Sequence, residues 1–196
     1  MPIINPCALL DRLLAEPQEQ PWLEFKVNDD DPQNLGEYVS ALANAAMLAD
    51  RERGYLVFGI QDGTKEKIGT NVRLESKKKG NENFLNWLTR LLDPKILVEV
   101  KDFECNGKYF SVLCVEPSFE RPVKFSGTAY IRIGSYKKKL SDFPEYERAL
   151  WLATGRRRFE NTIAMSNVST KEVFDLLDYE TYYKLSAEPI PKSHDE

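Results

Sequence analysis

The 196-residue chain is 42% hydrophobic and 30% charged, which is typical of a folded globular protein and too polar for a membrane protein. Its formal net charge of -4 excludes a global attraction to nucleic acid, so any such binding must come from local clusters. Three cysteines without close paired spacing and one histidine, His194, argue against a disulfide framework and against a zinc site. No basic segment leads into an apolar stretch near the start, so we expect a cytoplasmic protein that has no membrane contact.

The first third of the chain alternates helical and strand patterns. Leucines at helical spacing predict a helix over residues 6–16, and alternating residues predict a strand over 22–26. Apolar residues three and four apart predict a second helix over 35–46. Residues 54–60 are continuously apolar, which predicts a strand that is covered on both faces at the centre of a sheet, and Gln61-Asp62-Gly63 predicts a turn after it.

The rest of the chain has the patterns of further strands and helices. A brief strand is expected over residues 67–72 and a helix over 81–92. Asn106-Gly107 separates two alternating runs, 96–104 and 108–116, and this pair predicts a tight hairpin because both central positions of the turn need positive φ. Two shorter strands, 122–125 and 128–133, flank Ser126-Gly127. Helices are predicted over 144–153 and 170–177, the second opened by a capping box of Ser169 and Glu172, before a mobile tail from Ala187.

This order of elements predicts an α+β fold with a mixed, mainly antiparallel sheet, flanking helices and a single core. We expect one domain over residues 1–155, followed by a C-terminal helical extension and tail over 156–196.

Five short segments, in this order, resemble the Schlafen AlbA-type domain family. They are Leu23-Glu24-Phe25-Lys26, residues 38–44 (YVSALAN), residues 55–62 (YLVFGIQD), Arg121-Pro122-Val123 and residues 130–135 (YIRIGS). The resemblance spans about residues 16–153. It implies a Schlafen AlbA-like fold and a nucleic-acid-binding domain of the kind found in prokaryotic transcriptional regulators and helicase-related proteins.

The resemblance also implies a candidate active site. RNA-cleaving Schlafen relatives use two glutamates and one aspartate as a metal-linked cluster, and the matching positions are Glu19, Glu24 and Asp62. Carboxylate oxygens suit Mg²⁺ or Mn²⁺, which polarises a phosphoryl oxygen and supplies hydroxide. The alternative is structural: Glu24 pairs with a lysine or arginine, Asp62 caps its turn and Glu19 is exposed.

Basic residues near this site predict a nucleic-acid interface. Lys26 is placed to hold a phosphate, while Arg132 and Lys137, Lys138 and Lys139 extend a basic track along the last strand and its exit. Tyr136, interleaved with these charges, offers a ring for unpaired bases. Each basic triplet, including 77–79 and 156–158, also has the simpler interpretation of a solvated surface.

The sequence leaves two classes of function open. One is a nucleic-acid-binding domain, for RNA or DNA, with or without a metal-dependent endoribonuclease activity; the other is a non-catalytic transcriptional-regulator or dimerisation module. The sequence leaves open whether the chain forms a homo-oligomer. ATP hydrolysis is not expected, because residues 59–65 lack the spacing of a phosphate loop and its lysine before Ser or Thr.

Overall fold

The computed structural model describes residues 5–16, 20–154, 168–169, 172, 176 and 178–186. The chain divides into two compact units, residues 1–157 and residues 158–196. In its described residues, the first unit contains the helices α1 (Pro6–Leu14), α2 (Pro32–Leu48), α3 (Phe84–Leu91) and α4 (Pro144–Thr154). Its strands are β1 (Leu23–Lys26), β2 (Gly54–Phe58), β3 (Lys78–Lys79), β4 (Glu82–Asn83), β5 (Leu92–Asp93), β6 (Val98–Cys105), β7 (Lys108–Val115), β8 (Lys124–Phe125), β9 (Thr128–Ile133) and β10 (Tyr136–Lys139).

The principal sheet has the strand order β1-β2-β7-β6. Strands β1 and β2 are parallel, with Glu24 opposite Leu56, and the other neighbours are antiparallel. All five residues of β2 are buried, because the strand has a neighbour on each side and apolar clusters on both faces. The predicted central strand and the predicted α+β class, with its mixed sheet and flanking helices, are therefore confirmed.

Helix α2 is the most buried helix of the described residues, with every residue from Tyr38 to Met47 buried. It begins three residues before the predicted start, because Pro32 occupies the first turn and the Asp31 carboxylate accepts a hydrogen bond of 2.8 Å from the Asn34 amide. On its outer side a second sheet of order β10-β9-β8-β5 packs against it. Gly36 allows this close approach, since a Cβ atom there would overlap the ring of Phe125.

Two polar side chains of α2 fasten the second sheet to the helix. Asn44 accepts from the Val123 amide at 2.7 Å and donates to the carbonyls of Val123 and Tyr130 at 2.9 and 2.8 Å. Ser40 donates to the Val123 carbonyl at 2.7 Å and accepts from the Tyr130 amide at 2.9 Å. These bonds satisfy buried backbone groups that the short strand β8 leaves without a ladder partner, and they explain the polar positions in the apolar motif helix.

Helix α1 covers the opposite face of the principal sheet, where Leu10 and Leu13 pack against residues of β1, β2 and β7. A disulfide between Cys7 and Cys105 joins this helix to the end of β6. The sequence argued against a disulfide framework, and this expectation was wrong for one pair of cysteines. The two cysteines are 98 residues apart, and only the packing of α1 on the β6–β7 hairpin brings them together.

The tight hairpin predicted at Asn106-Gly107 is confirmed, and the structure shows a second one between the two predicted strands that flank Ser126-Gly127. Asn106 and Gly107 have φ values of 52° and 73° between β6 and β7, and Ser126 and Gly127 have φ values of 48° and 81° between β8 and β9. Positive φ at both central positions is the geometry that matches the twist of the flanking strands.

Several local predictions need correction. The strand expected over residues 67–72 reduces to a single bridge between Ile60 and Lys67, because the chain there turns at Gly69, with φ of 93°, and the Thr70 hydroxyl donates to the Val27 carbonyl. The helix expected over 81–92 begins only at Phe84 after an Asn83 cap. Strands β3, β4, β5 and β10 were not predicted, since their short sequences show no alternation.

The second unit is described only in part. Ser169 and Glu172 form the predicted capping box: the Ser169 amide donates to the Glu172 carboxylate at 2.8 Å, and the Glu172 amide donates to the Ser169 hydroxyl at 3.3 Å. A helix that was not predicted, α5, spans Tyr179–Ser186. Most of the predicted helix over 170–177 and the tail from Ala187 lie outside the described residues.

Candidate functional site

Glu24 lies in the middle of β1 and points into the interface between the principal sheet and α2. It is only 2% exposed. Because side chains alternate along a strand, its neighbours Leu23 and Phe25 face the other way and join the cluster under α1. Glu24 is therefore a carboxylate within the protein interior, where an ionised group needs compensating charge.

Two cations and a phenol surround this carboxylate. Lys26 Nζ lies 2.6 Å from Glu24 Oε1, and the Tyr38 hydroxyl donates to the same oxygen at 3.2 Å. Arg132 Nη2 lies 2.5 Å from Oε2, which makes a close ion pair. Arg132 also donates to the carbonyls of Gln20, at 3.3 Å, and Leu23. The cluster thus links β1, α2 and β9 across the core.

The pKa shifts of Lys26 and Tyr38 agree with a charged Glu24 that these two groups compensate. Burial alone lowers the pKa of Lys26, but the hydrogen bond and the charge of Glu24 outweigh it, so that the pKa rises above the ordinary value and the ammonium group persists. Burial, and then the Glu24 charge, raise the pKa of Tyr38, which keeps its phenol neutral and able to donate.

A second ion pair lies close to the Tyr38 ring. Lys137 Nζ is 4.5 Å from the ring centroid, against 5.5 Å for Lys26 Nζ. The same ammonium lies 2.6 Å from Glu37 Oε2 and donates to the Asn34 side chain. Burial raises the pKa of Glu37, but the hydrogen bond and charge of Lys137 outweigh it and lower the pKa. Lys137 is therefore held against α2 by a carboxylate of its own.

The carboxylates predicted to hold a metal are not brought into one described group. Asp62 is exposed in the turn after β2, while Glu24 is buried and engaged by Lys26 and Arg132; Glu19 lies outside the described residues. Within the described residues no group of three acidic, histidine or cysteine side chains is placed to hold a metal ion. The described pair does not fit a metal centre, because both oxygens of Glu24 already face cations. The triplet stays a prediction.

Strand β10 gives the predicted basic track its structure. It pairs antiparallel with β9, Lys137 opposite Arg132 and Lys138 opposite Ile131. Lys138 and Lys139 are exposed, and Tyr136 is 68% exposed. Arg132, predicted on the same track, is instead 2% exposed within the Glu24 cluster. The sequence predicted the basic residues of the track but not which of them are exposed to solvent. Their burial depends on how β9 and β10 pack against α2.

The other basic triplets are distributed differently. Lys77 lies 2.5 Å from Asp30, and Lys78 and Lys79 are exposed on β3, where Lys79 Nζ is 5.9 Å from the Trp87 ring centroid. Residues 156–158 lie outside the described part of the chain.

Comparison with known protein families confirms the resemblance that the sequence motifs predicted. Residues 19–141, well over half of the chain, match the family described as Schlafen, AlbA_2. The chain belongs to this family. The Schlafen AlbA_2 match runs from just before β1 to just after β10, so it contains the Glu24 cluster, the Ser40 and Asn44 contacts and β10. No curated protein matches the chain.

Two solved structures show distant similarity to this Schlafen AlbA_2 chain. The DIP2311 protein from Corynebacterium diphtheriae is 18% identical with a TM-score of 0.45, and the comparison covers 74% of this chain and 28% of that protein. The N-terminal domain of a protein described as RecG-related, from Nitrosomonas europaea, is 23% identical with a TM-score of 0.38, covering 67% of this chain and 90% of that domain. The chain thus spans little more than a quarter of the first structure's length. In the described residues, none of the helices has the length and apolar character that a bilayer span requires.

Proposed function

We propose that this chain binds nucleic acid through the phosphate backbone, at a surface formed by β10, and that it does so without cleaving it. We name this surface the β10 strip; it consists of Tyr136, Lys137, Lys138 and Lys139. The observation that supports it is that Lys138 and Lys139 stand exposed and adjacent on an edge strand, with no described carboxylate within ion-pair distance of either. Such lysines attract phosphates without reading sequence.

The remaining basic residues of the predicted track have internal partners. Lys26 and Arg132 form ion pairs with Glu24, and Lys137 forms an ion pair with Glu37. We infer that these three residues fix the position of β10 against α2 and β1, and that Lys138 and Lys139 supply the charge that contacts phosphate. Family membership supports nucleic acid as the partner, since Schlafen AlbA-type domains are associated with nucleic-acid binding.

The salt dependence of binding tests this division of roles. Each neutralised phosphate contributes a slope of about -0.7 to -0.9 in a plot of log K against log salt concentration. Replacing both Lys138 and Lys139 by alanine is expected to reduce the slope by about 1.4 to 1.8 and to weaken binding at low salt. The matched control is the double replacement of Lys78 and Lys79, exposed lysines on β3, which should leave the slope unchanged.

The Glu37→Gln variant is expected to change the affinity for nucleic acid in the opposite direction. It removes the carboxylate that neutralises Lys137 and so raises the net positive charge of the β10 strip, and binding at low salt should become tighter. Affinities measured by fluorescence anisotropy over a range of salt concentrations give both results. An affinity that does not depend on salt, or equal effects of the two double variants, would contradict the proposal.

The same preparations separate binding from cleavage. Labelled RNA is incubated with Mg²⁺ or Mn²⁺, with EDTA as the control, using the wild type and Asp62→Ala. Asp62 is the informative position because it is exposed in a turn, so its replacement leaves the core intact, whereas a Glu24 variant confounds catalysis with folding. We expect retarded but intact RNA in each case. Metal-dependent cleavage that disappears in Asp62→Ala would establish the carboxylates as an active site instead.

A further inference from the structure

Tyr136 is placed unlike the other tyrosines of the site. It is 68% exposed, whereas Tyr38 is 8% exposed and bonded to Glu24. It begins β10 directly after the Gly134-Ser135 turn, where Gly134 has φ of 59°, and it lies opposite Ile133. A ring left this far in water contributes little to the core, so packing does not explain its position.

The charge next to this ring is one of the two that the proposed function needs. Residues two apart on a strand share a face, and Lys138 Nζ lies 5.6 Å from the Tyr136 ring centroid. The ammonium group lies over the ring, so an aromatic surface and a positive charge stand together and match the two parts of one nucleotide, whose base offers a π face and whose phosphate offers negative charge.

We propose that Tyr136 and Lys138 form a stacking platform for one unpaired base, so that the β10 strip selects single-stranded nucleic acid over a duplex. Bases within a duplex are already stacked on each other and have no free face, whereas unpaired bases stack readily on exposed aromatic rings. This inference rests on the proposed function, because it concerns the same surface. It differs from the proposed function because the Tyr136 ring, and not the lysine charge, produces the preference for single strands.

The test measures two substrates and three proteins. A short labelled single strand and the duplex of the same sequence are bound to the wild type, Tyr136→Ala and Tyr136→Phe. Tyr136→Ala is expected to weaken single-strand binding between about 5-fold and 150-fold, the range for one base–aromatic stack, with less than about a twofold change on the duplex. Tyr136→Phe keeps the ring and should bind as the wild type does.

An abasic single strand serves as the control for phosphate contacts. It retains the backbone but has no base to stack, so Tyr136→Ala should bind it as well as the wild type does. The salt slope should be the same for Tyr136→Ala and the wild type, because no charge is removed.

The outcomes separate the inference from the proposed function. Equal binding of single strand and duplex, or an equal loss on both in Tyr136→Ala, would overturn the stacking platform while a salt slope that depends on Lys138 and Lys139 still upholds backbone binding. Absence of binding to every nucleic acid would overturn both. An exposed ring that serves only as a contact for another protein would give unchanged affinities in Tyr136→Ala, which also rejects the inference.

Discussion

At the residue scale, the position of Glu24 bears on two interpretations of the Glu-Phe-Lys motif. The Glu-Phe-Lys segment predicted either a metal ligand or a partner for a basic residue. The structure gives Glu24 two basic partners, Lys26 and Arg132, which lie on different strands. A buried charge that loses a partner is costly, because solvent does not reach it to replace the lost interaction.

We therefore expect Glu24→Ala to lower the free energy of unfolding by about 3–5 kcal/mol, since it leaves the guanidinium of Arg132 buried without this carboxylate. The control is Glu82→Ala, whose carboxylate pairs with Arg90 at the surface and whose loss should leave stability nearly unchanged. Urea unfolding followed by tryptophan fluorescence measures both. Equal midpoints for Glu24→Ala and the wild type would show that the cluster does not stabilise the fold.

At the scale of elements, α2 is the helix on which the principal sheet and the second sheet both pack. Its apolar positions pack on the principal sheet, and its polar positions hold the second sheet through β8 and β9. Helical periodicity predicted the helix, but it gave no reason for Ser40 and Asn44 at buried positions. Their partners are backbone groups about 80–90 residues later in the chain, and only the tertiary structure identifies them.

Asn44→Ala is expected to destabilise the protein markedly. It removes three hydrogen bonds to Val123 and Tyr130, and each buried polar group left without a partner costs about 1–3 kcal/mol. Asn86→Ala, an exposed asparagine on α3, is the matched control. Hydrogen exchange should show faster exchange of the β8 and β9 amides in Asn44→Ala, and a pattern like that of the control would refute the role given to this side chain.

At the scale of the whole molecule, the Cys7–Cys105 disulfide joins α1 to the β6–β7 hairpin across 98 residues of chain. A cross-link over so long a loop restricts the unfolded chain and typically stabilises a protein by about 2–4 kcal/mol. Cys114, the third cysteine, is buried in β7, and burial raises the pKa of its thiol to about 11, so it is a poor competitor for exchange.

Reduction should accordingly lower the thermal midpoint of the wild type. In Cys7→Ser, which lacks the disulfide, the midpoint is expected to start low and to be insensitive to dithiothreitol. Cys114→Ser is the control that retains the disulfide and the response to reductant. A wild-type midpoint that does not change on reduction would mean that α1 is held by its leucines alone.

Local patterns in the sequence were enough to predict the longer elements and the family. Periodicity predicted α1, α2 and β2, and the Asn-Gly pair predicted the β6–β7 hairpin, because those signals come from neighbouring residues. The ordered motifs identified the Schlafen AlbA_2 domain that the family match shows. The tertiary structure decided which charges are available. Lys137, Lys138 and Lys139 are identical in sequence terms, yet Lys137 is neutralised by Glu37 and the other two face solvent. That difference arises because burial and ion pairing depend on residues about a hundred positions away, which no local pattern encodes.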